Sequence, residues 1–93
     1  SETSNYFFAV KPPKPTDIVT IKAREGGEVV RPSYREKSTS LKNIYQELEI
    51  PPWQRLGLPL VYYNDQLVTA VGAFVSADFI DPNGIYFQIS YTE

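Results

Sequence analysis

The chain has neither cysteine nor histidine among its 93 residues. Without cysteine it can form no disulfide framework and offers no thiolate ligand to a metal. Since histidine is missing too, we expect no metal site and no histidine-based catalytic relay. Methionine is also absent, and the first residue is Ser1. We therefore expect a fragment cut from a longer protein.

Long apolar runs and nucleotide-binding loops are missing as well. No stretch approaches the about 20 apolar residues that cross a bilayer, so we expect no membrane partner. The glycine motifs that cradle phosphates do not occur, and Gly26-Gly27 does not open a helix. No Ser has a basic partner at catalytic spacing, and Glu47 and Glu49 project from different helix faces. We predict neither a catalytic centre nor a cofactor in this chain.

Basic residues are absent from the last part of the chain. All nine Lys and Arg lie between Lys11 and Arg55, whereas four acids and no base follow Leu56. The net charge of −2 hides this asymmetry, and a partner would meet the local sign. Such a basic stretch is either an ordinary solvated surface or a surface offered to an anion.

The length predicts one domain, 1–93. Residues 1–5 are polar, and we expect them to be frayed. Residues 6–16 predict a short apolar strand, Tyr6–Val10, and a stiff proline-rich connector. A β-turn at Asp81–Gly84 and a strand alternating from Ile85 to Tyr91 are predicted for 81–93.

A hairpin is predicted around Gly26-Gly27, which tolerate positive φ at both positions. In that register Val19, Ile21, Ala23 and Val30 would be buried. The opposite face would then carry three basic side chains, Lys22, Arg24 and Arg31. Two interpretations stay open: the cluster is offered to an anion, or Glu25 or Glu28 folds back and neutralises it.

One short helix is predicted over residues 41–49. Leu41, Ile44, Tyr45 and Leu48 form an apolar stripe with a 3.6-residue period, and Ser40 or Thr39 is the expected N-cap. So short a helix must dock on a sheet. Pro51 and Pro52 end it. Trp53 beside this corner is interpreted as a core plug, with stacking on a base as the alternative.

A second hairpin is predicted from Leu58 to Gly72, with its turn at Asn64-Asp65. Both strands are apolar on both faces, which is typical of central strands covered by a helix. The predicted fold class is therefore α+β, a small single domain of mostly antiparallel sheet with one short helix packed on it.

Seven short motifs follow one another in order: Arg24-Glu-Gly-Gly-Glu28, Arg31-Pro32, Leu41-Lys42, Gln46-Glu47, Ile50-Pro-Pro-Trp-Gln-Arg55, Leu58-Pro-Leu60 and Leu67-Val-Thr-Ala-Val-Gly72. This series resembles the C-terminal domain of bacterial tRNA(Ile)-lysidine synthetase, over roughly residues 17 to 80. The I-P-P-W-x-R run and the G-G-E turn upstream of it carry most of the resemblance. The fold that it implies is a module similar to one in the β chain of phenylalanyl-tRNA synthetase.

The resemblance implies a tRNA-binding role. The parent would be a cytoplasmic ligase that uses ATP and Mg²⁺, bound in a missing N-terminal domain, to convert the wobble cytidine of isoleucine tRNA to lysidine. This domain would hold the acceptor stem of tRNA(Ile), and the rest of the parent enzyme would be its other partner. The family's basic positions correspond to Arg24, Arg31, Lys42 and Arg55.

Three neighbours are added to this site by their charge: Lys22, Arg35 and Lys37. Double-stranded RNA is recognised largely by shape and by its phosphates and 2′-hydroxyls, which suits cationic side chains. The alternative is a module that docks within the parent or forms a homodimer, without contacting RNA. Its pairing edge would be the final strand, which is rich in aromatics and has no base.

Overall fold

A four-stranded antiparallel sheet with one short α-helix on it lies at the centre of this chain. The structure is a computed structural model that describes residues 9–89. The predicted frayed terminus at 1–5, residues 6–8 of the first predicted strand and residues 90–93 lie outside the described part. In chain order the elements are β1 (Val19–Lys22), β2 (Val29–Val30), β3 (Thr39–Ser40), α1 (Leu41–Glu47), α2 (Pro52–Arg55), β4 (Leu60–Tyr63), β5 (Gln66–Ala70) and β6 (Phe74–Val75), followed by a 3-10 helix at Ala77–Phe79.

The larger sheet has the strand order β1-β4-β5-β6, and all neighbours are antiparallel. β4 and β5 form the predicted hairpin, and Asn64 in its turn takes the left-handed φ of 57° that asparagine tolerates. Both are central strands, as their apolar residues on both faces predict. The α+β fold class is confirmed. No helix within residues 9–89 has the length and apolar character needed to cross a membrane.

The hairpin predicted around Gly26-Gly27 is wrong. β1 pairs with β4, and β2 pairs with β3 in a separate two-stranded sheet. Both glycines do take positive φ, at 105° and 81°, but their turn leads the chain from one sheet to the other. β1 is consequently an edge strand: Val19, Ile21 and Ala23 are exposed, and only Val30 of the four predicted positions is buried.

Helix α1 begins where the sequence predicts and ends two residues earlier. The Ser40 hydroxyl accepts a hydrogen bond from the N–H of Asn43 at 3.1 Å, which confirms the N-cap. At the other end Glu49 takes a φ of 58°, and the N–H of Ile50 donates to the carbonyl of Tyr45 at 2.9 Å. This left-handed ending satisfies the last carbonyls before Pro51.

The apolar stripe of α1 packs on one face of the sheet, as predicted. Leu41, Ile44 and Tyr45 are fully or almost fully buried, and Leu48 is half-buried. They form the first core with Val30, Leu60, Ala70 and Phe74. The opposite face of the sheet carries a second core, made of Val10, Val61, Tyr63, Val68, Val71 and Val75.

The last described segment is largely not a strand, contrary to prediction. The turn at Asp81–Gly84 forms, with the N–H of Gly84 donating to the carbonyl of Asp81 at 2.9 Å. Beyond it only Ile85 pairs, through two backbone hydrogen bonds with Val10. A Cβ at Gly84 would collide with the carbonyl of Val10. This close approach lets the segment cover the second core with half-buried Phe87 and Ile89, without joining the larger sheet.

Trp53 is not a core plug. Its side chain is 81% exposed on the first turn of α2. The corner after Pro51 is instead closed by Arg55, whose Nε donates to the carbonyl of Ile50 at 2.8 Å. Leu58, and not Trp53, packs beside the first core from this corner.

Ile21 and Ile44 are both predicted to be buried, but the structure places them in different environments. Ile44→Ala should therefore be much more destabilising than Ile21→Ala. Ile44 is 0% exposed and its truncation leaves a cavity, so we expect a loss of about 2–5 kcal/mol in the free energy of unfolding. Ile21 is 60% exposed, and its truncation should cost less than about 1 kcal/mol. Urea denaturation measures both, and equal losses would contradict the edge position of β1.

Because Trp53 is the single tryptophan, its fluorescence reports its exposure directly. The folded chain should emit at nearly the wavelength of the urea-unfolded chain, and a neutral quencher should reach the indole in both. Trp53→Ala should change stability by no more than about 0.5 kcal/mol. A clear blue shift on folding would restore the core-plug interpretation.

Candidate nucleic-acid interface

The loop between β1 and β2 positions the first of the predicted basic side chains. The Glu28 carboxylate folds back and accepts hydrogen bonds from the N–H groups of Glu25 at 2.8 Å and Gly26 at 3.0 Å. Partial burial raises the pKa of Glu28, but backbone hydrogen bonds and the charge of Arg24 outweigh it and bring the pKa below its usual value. The loop is thereby held in one shape, which fixes where Arg24 leaves the backbone.

Arg24 and Arg55 converge on Tyr45. The Arg24 guanidinium lies over the Tyr45 ring, with its Cζ 6.0 Å from the ring centroid. Arg55, held by the carbonyl of Ile50, lies close enough for its charge to act on the same phenol. Lys42 is exposed and lies three residues before Tyr45 on α1, so both side chains lie on one side of the helix. We call Arg24, Lys42, Tyr45 and Arg55 the Tyr45 flank.

Arg31 and Arg35 lie on the other side of α1. Arg35 Nη1 donates to Glu47 Oε2 at 2.9 Å, and the Tyr34 hydroxyl donates to the other oxygen of Glu47 at 3.0 Å. Arg31 donates to the carbonyl of Arg35 at 3.1 Å and lies 3.8 Å from the carboxylate of Asp78. We call Arg31, Tyr34, Arg35 and Glu47 the Glu47 flank; its charges are largely neutralised.

Lys22 and Lys37 belong to neither flank. Lys22 forms an ion pair with Glu25 at 3.2 Å and lies over the Tyr62 ring, 4.7 Å from its centroid. The hydrogen bond and charge of Glu25 raise the pKa of Lys22. The interpretation in which Glu25 folds back therefore holds for Lys22. Lys37 is exposed in the loop between β2 and β3.

Of the four basic positions carried over from the resemblance, the structure brings Arg24 and Arg55 together at Tyr45, and Lys42 lies on the adjoining surface of α1. Arg24, Lys42 and Arg55 share the Tyr45 flank, where no carboxylate within residues 9–89 lies at ion-pair distance from them. Arg31 contacts the Arg35 carbonyl and Asp78 instead. Such a group of free cations can neutralise neighbouring phosphates. The described residues contain no cluster of carboxylates that could hold a metal.

The sequence predicts Tyr45 only as a member of the apolar stripe of α1. The structure gives it a second aspect, because its hydroxyl is buried among the cations of the flank. A tyrosine within an apolar helical stripe is the sequence signal for such a role, since its hydroxyl needs a hydrogen-bond partner when it is buried. The sequence does not show which neighbour that end meets.

A family model matches residues 19–88, and its description is "TilS substrate C-terminal domain". That match covers more than half of the chain. The chain belongs to this family. The match includes both flanks of α1 and the whole larger sheet, so the TilS C-terminal domain contains the fold and the candidate interface together. A crystal structure of a TilS C-terminal domain matches 84% of this chain, and this chain covers 62% of that one, with a TM-score of 0.65 and 22% identity. This likeness shows the fold.

Curated relatives give the same family. A tRNA(Ile)-lysidine synthase of Serratia proteamaculans is 52% identical over 54% of this chain, and one of Edwardsiella ictaluri is 42% identical over 74% of it. The matches span 12% and 16% of those proteins, respectively. This TilS C-terminal domain is thus similar to a small part of each relative.

Glu28→Gln should make stability less dependent on acid pH. The folded-state pKa of Glu28 is depressed, so its contribution is complete above its usual pKa of 4.5 and is lost as pH falls through the folded value. We expect a loss of about 1 kcal/mol at pH 7, with a smaller difference near pH 3. Thermal melts from pH 7 to 3 measure this. Glu36→Gln, on an exposed loop residue, is the control, and parallel pH profiles for wild type and Glu28→Gln would contradict the prediction.

Proposed function

We propose that this chain is the tRNA-holding domain of an ATP-dependent tRNA(Ile)-lysidine synthetase and grips the acceptor stem of isoleucine tRNA. The parent would convert the wobble cytidine of that tRNA to lysidine with catalytic residues and ATP held outside this domain. The names of the relatives, tRNA(Ile)-lysidine synthases, support the parent activity. The absence of histidine, cysteine and a phosphate-binding loop from this chain agrees with chemistry that takes place elsewhere.

The observation that carries the RNA-binding part is the Tyr45 flank. It offers Arg24, Lys42 and Arg55 on one side of α1, although the net charge of the chain is −2. An A-form stem presents closely spaced phosphates and 2′-hydroxyls, and a protein recognises it mainly through these groups. Three cations beside one packed helix suit such a backbone, because they can neutralise neighbouring phosphates together.

The other basic residues contribute less in this proposal. Arg35 and Lys22 each have a carboxylate partner, at 2.9 Å and 3.2 Å, which an incoming phosphate must displace. Arg31 has a looser partner at 3.8 Å and can turn toward RNA more readily. We therefore assign Arg24, Lys42 and Arg55 the main phosphate contacts and keep Arg31, Arg35, Lys22 and Lys37 as peripheral ones.

The second candidate function is a docking or dimerisation module that does not contact RNA. One observation favours it: Val19 and Ile21 on the edge strand β1, and Ile18 directly before it, are 41%, 60% and 70% exposed. An exposed edge of this kind can pair with another strand. Within residues 9–89, this edge is where such pairing would occur.

A salt titration with two matched variants tests the proposal. Arg24→Gln/Lys42→Gln and Arg35→Gln/Lys37→Gln each remove two positive charges, and Arg55 is left in place because it also closes the corner after α1. We expect the first pair to weaken binding of an acceptor-stem duplex and to lower the salt slope of log K by about 1 per lost contact. The second pair should have a smaller effect.

Two results would contradict the proposal. A wild-type affinity that does not change with salt would show that phosphate contacts do not contribute to binding. A larger loss of RNA affinity for the second pair would place the interface on the Glu47 flank. A concentration-dependent dimer that disappears in Ile21→Lys, together with no RNA binding, would favour the second candidate function.

A further inference from the structure

The hydroxyl of Tyr45 is a buried polar group without a partner. The side chain is 0% exposed, and its oxygen makes no hydrogen bond within the described residues. The ring itself is well packed, edge-on to Phe74 with centroids 6.5 Å apart. Buried hydroxyls are nearly always hydrogen-bonded, so an unpartnered one calls for a specific reason.

The surroundings of this hydroxyl are cationic. Arg24 covers the ring from the loop between β1 and β2, and Arg55 approaches from the end of α2. Arg55 is fixed through Nε, so its two Nη groups remain for an anion. Burial raises the pKa of Tyr45 to about 12, so the phenol keeps its proton and is a donor at neutral pH.

Among residues 9–89, Glu28 is the carboxylate whose charge acts on the phenol. Its oxygens already accept hydrogen bonds from the backbone of the loop, so its negative charge is partly satisfied and directed toward Arg24 and the loop amides. It therefore positions Arg24 and does not occupy the Tyr45 hydroxyl.

We infer that the Tyr45 hydroxyl donates a hydrogen bond to one phosphate oxygen of the bound RNA, and that this phosphate enters between Arg24 and Arg55. The inference rests on the proposed RNA-binding function and adds a neutral donor to its cations. Arg24 acts as the cover of this subsite: when its guanidinium turns outward to the phosphate, the hydroxyl beneath it becomes accessible. A phosphate then meets two guanidinium groups and one O–H donor, a denser set of donors than separated surface cations provide.

Tyr45→Phe tests the inference, because it removes only the hydroxyl. Since that group has no internal partner, the melting temperature should be unchanged or higher. Affinity for the acceptor-stem duplex should fall about tenfold, as expected for a lost hydrogen bond to a charged group. The slope of log K against log salt should stay unchanged, because a neutral donor releases no counterion, whereas Arg24→Gln should lower it by about 1.

Tyr63→Phe is the matched control. Its hydroxyl donates to the carbonyl of Lys11 at 2.7 Å and lies in the second core, on the opposite face of the sheet. That variant should lower the melting temperature and leave RNA affinity unchanged. The opposite pattern of effects in the two variants would support the subsite.

Several outcomes would overturn the inference. If wild type and Tyr45→Phe bound RNA equally well and binding still depended on salt, the subsite would be contradicted and the proposed function would stand. A lower melting temperature for Tyr45→Phe would show that the hydroxyl has an internal role. Wild-type chain that fails to bind the duplex at low salt would remove both proposals. Inorganic phosphate that competes at the duplex's own concentration range would identify a site for free anions instead of RNA.

Discussion

The docking of α1 on the central hairpin is the interaction on which the rest of the structure depends. The helix has seven residues, too few to persist alone in water. Its buried stripe, Leu41, Ile44 and Tyr45, packs against Leu60 and Ala70 of β4 and β5, with Val30 and Phe74 beside them. Because β4 and β5 are central, they also carry the second core on their other face. One hairpin thus supports two cores, and α1 takes its orientation from it.

That orientation separates the basic residues into two groups with different electrostatics. On one side of α1 the Glu47 carboxylate receives Arg35 and Tyr34, so the charges are paired. On the other side Glu28, the carboxylate among residues 9–89 whose charge acts on the Tyr45 phenol, is engaged by the amides of its own loop. The cations of the Tyr45 flank therefore remain available. A domain with a net negative charge can present a cationic surface in this way, since carboxylates elsewhere do not cancel a local group.

The resemblance seen in the motifs predicted the family and fold class correctly, and local patterns predicted α1, its Ser40 cap and the β4–β5 hairpin. Two of the predictions that failed have a common cause. The Gly26-Gly27 turn was right in its positive φ but wrong in the strands it joins. Trp53 was placed inside because tryptophan is usually buried at such corners, yet Arg55 and Leu58 fill that place. In both cases a distant partner decided the outcome.

The sequence by itself determined the features that neighbouring residues enforce: where α1 begins, where Pro51 stops it, which face of α1 is buried, and which segments turn. These features depend on short-range hydrogen bonds and on the spacing of apolar side chains, and both involve residues that are close together in the chain. Only the tertiary structure decided that β1 pairs with β4, that Arg24 and Arg55 meet at Tyr45, and that Arg35 is neutralised by Glu47. The physical reason is that backbone pairing and charge contacts join residues far apart in the chain, and many pairings satisfy the same apolar alternation equally well.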